Sequence, residues 1–385
     1  MRTNLLFIFA LIILNGCSFF ASDEENPVEP PAELVEIEQA LEIDRIWSTK
    51  IGGGSSRLRL GLSPSSDGTI VYAGSFDGSI LAFDVREGER VWQKRTDYSL
   101  SAGPSYQDNV LAFGTTDGDL VLFSSTNGDE LWRKNIGSEI LASPVMQNNI
   151  VVVKTVDGRL RGYSALDGRE LWSIQQNVPA LTLRGNTQPI ISATYVVAGF
   201  DNGKLGAYEL LSGDTVWEIQ VVSPTGSTEI DRLVDMSAGL QIVSGYVFAA
   251  GYNGRAIAVE LQNGQLIWQQ ELSSFSGLSV DFSSLYLTDS FSNIVALDRN
   301  SGAVIWEQKM FRLRDLTTPI PYLGNLVVGD LEGYIHWIDT RDGNVIARDR
   351  VTNESIIGRP LVVGDRLIIQ SEGGTLAAYT ISSVS

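Results

Sequence analysis

DGSILAFDVREGERVW, residues 77 to 92, is the stretch on which the reading of this chain turns. Asp77-Gly78 is a tight-turn pair, because glycine takes positive φ without steric cost. Ile80, Ala82 and the residues between them alternate as a strand, Gly88 permits a second turn, and Trp92 closes the unit. The unit returns as DGDLVLFSSTNGDELW (117–132), DGRLRGYSALDGRELW (157–172), NGKLGAYELLSGDTVW (202–217) and NGRAIAVELQNGQLIW (253–268). In all five copies the turn glycine and the closing tryptophan are 14 residues apart.

Degenerate copies hold the same register. Ser292 stands in the glycine place before Gly302 and Trp306, and Gly333 precedes Gly343 with Ala347 where tryptophan is expected. A partial copy, GGTLAAYTI (373–381), has no closing tryptophan, while Trp47 has no turn before it. Taken together, Trp47, Trp92, Trp132, Trp172, Trp217, Trp268, Trp306 and Ala347 mark eight units with a mean spacing of about 43 residues. A period of this length with several short strands per repeat is that of a propeller blade. The reading is an all-β, eight-bladed β-propeller of four-stranded antiparallel blades spanning residues 43–385. Its last blade is completed by an N-terminal strand around Arg45–Lys50, which ties the two ends together and removes open sheet edges. Each tryptophan is expected to pack between neighbouring blades.

The head of the chain reads differently. Residues 1–16 have a positive Arg2 and an apolar run, Leu5 to Leu14, too short to span a bilayer, which is the pattern of an export signal. The run ends in Leu14-Asn15-Gly16-Cys17. That tetrapeptide resembles the bacterial lipobox, which implies cleavage before Cys17 and lipidation of its thiol. The non-acidic Ser18 implies, by the same resemblance, sorting to the outer membrane with the body facing the periplasm. Cys17 is the only cysteine, so no disulfide forms within the chain. Residues 17–42, rich in Pro and Glu, read as the lipidated end and a solvated, flexible tether, with Leu34 to Ile43 compatible with a helix. On this reading the tether adds nothing to the stability of the body.

Composition narrows the function. A net charge of −18 argues against a nucleic-acid partner, which needs a basic surface. One histidine, His336, in the strand pattern YIHWID, cannot by itself supply a zinc site, and a packed or surface strand residue is the expected role. The glycines sit in turns between strands and form no phosphate-binding loop. Neither metal nor cofactor is expected.

Ala82, Asp84, Gly88 and Trp92, repeated as Ala296, Asp298, Gly302 and Trp306, resemble the tryptophan-docking motif of the pyrroloquinoline-quinone dehydrogenases, themselves eight-bladed propellers. Those enzymes carry an adjacent cysteine pair beside the cofactor, and this chain has none. The shared motif is therefore read as structural, with a periplasmic quinoprotein-type dehydrogenase as the alternative.

Loop length is more informative. From the closing tryptophan to the next inner-strand proline the gap is 12 residues for Trp92–Pro104 and Trp132–Pro144, and 13 for Trp306–Pro319. It is 17 for Trp172–Pro189, and 23 for Trp217–Leu240, where Leu replaces Pro. These two enlarged loops occupy equivalent places in successive repeats, so they are expected side by side on one face, where binding residues commonly sit. The first holds Leu181, Leu183 and Arg184; the second, STEIDRLVDMS (227–237), holds Glu229, Asp231 and Asp235. Leucines beside an arginine are the composition of an interface centre.

The lipobox, the tryptophan-ended repeats and the stretches LTLRG (181–185) and TGSTEIDRL (225–233) together resemble the BamB family of outer-membrane assembly lipoproteins, over residues 17–385. The resemblance implies a non-enzymatic adaptor of the β-barrel assembly machinery. Its partners would be the periplasmic domains of the central barrel protein, the complex's other lipoproteins and nascent outer-membrane β-barrel proteins. The family's barrel-protein contacts fall on Leu181, Leu183, Arg184 and Asp235, with Asp235 expected to orient Arg184 or touch the partner. A second acidic position falls on Ser237, with Asp231 nearby as a substitute.

Overall fold

The computed structural model describes residues 29–53, 60, 62–185, 187–223, 227–228, 233–236, 238–356 and 358–383. Eight four-stranded sheets follow one another along the chain. Blade 1 shows the pattern: Ser65–Ser66, Ile70–Gly74, Ser79–Asp84 and Arg90–Arg95, each antiparallel to the next. The second and third strands are buried almost without a break, because neighbouring blades cover both of their faces. The fourth strand is the outer edge and alternates between exposed and half-buried positions. The hydrophobic core is thus distributed between blades: Val197, Leu205 and Trp217 of blade 4 pack with Val247, Ala249 and Ile257 of blade 5. The first strands surround an axial channel of about 820 Å³, with residues from every blade in its lining.

The ring closes as the repeat arithmetic requires, with a longer strand than expected. Leu41–Lys50 pairs antiparallel with Thr375–Ser383, from Leu41 opposite Ser383 to Lys50 opposite Thr375, with a register shift between Arg45 and Trp47. One sheet therefore holds both ends of the ring.

Seven tryptophans lock each blade to the next. The indole Nε1 of Trp47, Trp92, Trp132, Trp172, Trp217, Trp268 and Trp306 donates to the main-chain oxygen of Val85, Ser125, Ala165, Leu210, Leu261, Arg299 and Thr340 respectively, at 2.7–3.1 Å. Each ring lies on the turn glycine of the following blade. At Gly88 (φ 70°) a Cβ would stand 2.4 Å from the Trp47 ring, so this position needs both the backbone freedom and the missing side chain of glycine.

Ala347 breaks the series for a reason in the closure. The third and fourth strands of blade 8 are the two ends of the propeller, so no turn joins them to receive a tryptophan. The bulk is moved across the sheet instead. In the other blades except blade 2, where Leu122 faces Trp132, Ala or Gly faces the tryptophan, as Ala82 faces Trp92; here Trp337 faces Ala347. Trp337 is fully buried and meets Tyr379 of blade 8 edge-on at 6.4 Å.

Part of the segment expected as a free tether is packed against the body, and it is not helical. Glu29 to Ala40 runs extended over the junction of blades 6 and 7 and along the outer edge of blade 7. The reason lies in its sequence: Leu34 is apolar and packs beside Trp306, Phe311 and Leu316, while main-chain groups of Ala32, Val35 and Ala40 meet polar partners on the body. Cys17 and the export signal lie outside the described residues.

Candidate partner-binding site

The two enlarged loops do adjoin. Residues 176–189 join blade 3 to blade 4, and residues 221–239 join blade 4 to blade 5. Their bases are clamped where Thr187 Oγ1 donates to the Met236 carbonyl at 2.8 Å, a contact that is buried. Met236 itself is fully buried against Gly199, where a Cβ would stand 2.6 Å from the methionine Cβ. Tyr252 N donates to the Asp235 carbonyl at 2.8 Å, and Asn253 Nδ2 to the Leu233 carbonyl at 3.0 Å, tying the second loop to blade 5. Only short ordered anchors are needed to hold such loops over a rigid scaffold.

Above this base the first loop is open. Leu181 and Leu183 are 43% and 40% exposed. Arg184 follows at φ 54°, a left-handed conformation that costs a non-glycine residue about 1–2 kcal/mol. Its amide donates to Thr182 Oγ1 at 3.2 Å. The guanidinium, still largely exposed, pairs with Glu139 in the linker between blades 2 and 3. A carboxylate that holds one edge of a guanidinium leaves its remaining N–H groups aimed outward.

Asp235 does not project beside Arg184. Among the described residues the ion pair of Arg184 is with Glu139, and Asp235 is fully buried beneath the loops. Neither of its carboxylate oxygens makes a hydrogen bond among the described residues, although the N–H groups of Gly185 and Met236 lie near enough to favour its charge. Burial pushes the carboxyl up to about 7, and the negative Asp201 adds to the rise while Lys154 opposes it. Lys154, also buried, donates to the Gly199 carbonyl at 3.1 Å and stands 4.0 Å from Asp201. This buried cluster is the floor of the loop pair. Asp231, Ser237 and Glu229 lie outside the described residues.

Glu139, Lys154 and Asp201 escaped the sequence reading. Glu139 sits in a linker of ordinary length, and Lys154 and Asp201 read as strand and turn residues; no spacing along the chain brings them to the loops. His336, in contrast, is a strand residue as expected, and of the packed and surface positions open to it, it takes the packed one. It is fully buried, with Nε2 facing Asp330 Oδ2 at 3.0 Å and Nδ1 accepting from Arg348 Nε at 3.0 Å. Burial lowers its pKa, the guanidinium groups of Arg348 and Arg314 act in the same sense, and Asp330 opposes them. Among the described residues no group of His, Cys, Asp and Glu is arranged to hold a metal ion.

Comparison with known proteins decides the family. A family model described as outer membrane protein assembly factor BamB matches residues 76–308 and 291–383. The chain belongs to the BamB family. BamB of Pseudomonas aeruginosa is 41% identical over 376 residues, covering 98% of each chain. BamB of Escherichia coli is 32% identical over 383 residues, covering 97% of each. The crystal structure of BamB from Moraxella catarrhalis superposes with a TM-score of 0.80 at 25% identity, covering 88% of this chain and 100% of that one. A quinohemoprotein alcohol dehydrogenase from Pseudomonas putida reaches a TM-score of 0.71 at 12% identity over 89% of this chain and 77% of that one. At that identity the likeness is one of fold alone. Membership of this family makes the chain an outer membrane protein assembly factor rather than an enzyme.

Proposed function

We propose that this chain, as a member of the Bam complex, is held at the outer membrane by a lipid on Cys17 and binds the periplasmic domains of the complex's central β-barrel protein through Leu181, Leu183 and Arg184. Bound there, it serves as an adaptor in the assembly and insertion of outer-membrane β-barrels. The observation that carries this reading is the pair of half-exposed leucines beside an outward guanidinium, on a loop whose base is buried. Two apolar side chains provide a dry centre, and the guanidinium offers paired N–H donors to a carboxylate or to carbonyls at its edge. Asp235 enters as a positioning residue beneath the loops, and Glu139 as the group that aims Arg184.

The test is capture of the central barrel protein's periplasmic domains by the purified propeller. Leu181→Ser with Leu183→Ser is expected to weaken capture at least tenfold, the loss of about 1.4 kcal/mol or more from an interface centre. Capture equal to that of the parent, by a variant that melts at the parent temperature, places the interface on another surface.

A further inference from the structure

The packed segment from Glu29 to Ala40 bears on how the molecule stands at a membrane. Its outer end is clasped: Arg312 Nε and Nη2 donate to Glu29 Oε1 and Oε2 at 2.7 and 2.9 Å, a bidentate pair, and Ala32 N donates to the Arg312 carbonyl at 2.9 Å. Arg314 Nη1 donates to the Ala32 carbonyl at 2.9 Å, and Arg348 Nη1 to the Val35 carbonyl at 3.0 Å. Gln39 bonds both main-chain groups of Arg348, accepting at 3.1 Å and donating at 2.9 Å, and Ala40 N donates to the Ile346 carbonyl at 2.7 Å.

The two inner arginines are themselves fixed from below. Arg314 Nε donates to the buried Asp330 at 2.9 Å, and Arg348 Nε to His336. The segment is therefore a strap fastened along its whole length, with Leu34 as its apolar stud.

Position around the ring gives the strap a consequence. It begins at the linker between blades 6 and 7, where Arg312 lies. The Leu181–Arg184 loop lies at the junction of blades 3 and 4, and Arg184 leans toward Glu139 in the linker between blades 2 and 3. In a ring of eight, that is three to four steps away, where four is the furthest possible.

Cys17 precedes Glu29 by 12 residues, a reach of at most about 40 Å; were the strap free, the leash to Leu41 would be 24 residues, with a reach of about 80 Å. We infer that the strap makes the rim at blades 6 and 7 the membrane-proximal side of the molecule and holds the Leu181–Arg184 site on the rim away from the lipid surface. The inference rests on the lipid at Cys17 proposed above.

Energy transfer tests it. Cys17 is the only cysteine, so once its thiol carries lipid a single introduced cysteine takes the donor dye uniquely. Two exposed sites serve, Lys309→Cys beside the strap and Asp117→Cys on blade 2. The lipidated full chain is placed in phosphatidylethanolamine–phosphatidylglycerol vesicles with acceptor-labelled headgroups. Given a leash of at most about 40 Å, transfer from position 309 should exceed that from 117 by about twofold or more.

Arg312→Glu with Gln39→Ala, clasp positions that are half-buried and exposed respectively, should reduce this contrast while the protein stays on the vesicles. Equal transfer from the two sites in vesicle-bound protein overturns the inference and leaves the anchorage standing. An unchanged contrast in the clasp variant overturns the role of the strap. Protein that fails to float with the vesicles overturns the anchorage, and the inference with it.

Discussion

At the residue scale, glycine, tryptophan and one buried aspartate explain most of what is unusual here. The indole hydrogen bond to the next blade and the glycine beneath the ring make each blade depend on its successor, so that a packing rule is visible as a period in the sequence. The Trp337–Ala347 exchange shows the same volume supplied from the opposite strand where no turn exists to dock on. That replacement was not legible as such, because the period marked only the absent tryptophan.

The burial of Asp235, expected on an exposed loop, has a physical reason. An acidic residue in a polar loop is normally exposed, and its burial follows from the second loop folding inward at Leu233–Met236, which only the three-dimensional contacts show. Its carboxyl is raised from the usual 3.8 to about 7, so the stability it contributes is present at low pH and is lost as pH rises from about 4 through about 7. Asp235→Asn removes that titration. The variant should therefore gain Tm relative to the parent as pH is raised from 5 to 8, measured by thermal melts across the range. A difference independent of pH would mean that the buried carboxyl is already ionised throughout.

At the scale of elements, the strands and turns were legible because their signals are local. Alternation, Asp-Gly pairs and closing tryptophans fix the hairpins within a few residues of each other, and loop lengths located the two loops that share a base. The strap was not legible. Its Pro- and Glu-rich composition is that of a solvated segment, and what orders it is a set of partners some 280 to 310 residues away in sequence: Arg312, Arg314 and Arg348.

Truncations separate strap from closure. Deleting residues 18–40 should cost about 1–3 kcal/mol, a few hydrogen bonds and one leucine net of the entropy of ordering the segment. Deletion through Lys50 also removes the outer strand of blade 8 and the Trp47 contact with Val85, and should abolish cooperative unfolding of the propeller. Denaturant melts of both truncated proteins check this; equal midpoints for the two would remove the closing strand from the account.

At the scale of the molecule, the ring supplies rigidity and the loops supply identity. The propeller is shared with a quinohemoprotein dehydrogenase, so the fold alone selects no function. What distinguishes this chain is the loop pair carrying Leu181, Leu183 and Arg184, together with relatedness to BamB along nearly its full length. The most direct measurement is the affinity of purified propeller for the periplasmic domains of the central barrel protein, parent against Arg184→Ala, by calorimetry. The proposed interface predicts a loss of about 2 kcal/mol or more with an unchanged Tm, since Arg184 is largely exposed and, among the described residues, its ion pair with Glu139 is solvent-screened on the arginine side. An Arg184→Ala protein that binds as tightly as the parent would contradict it.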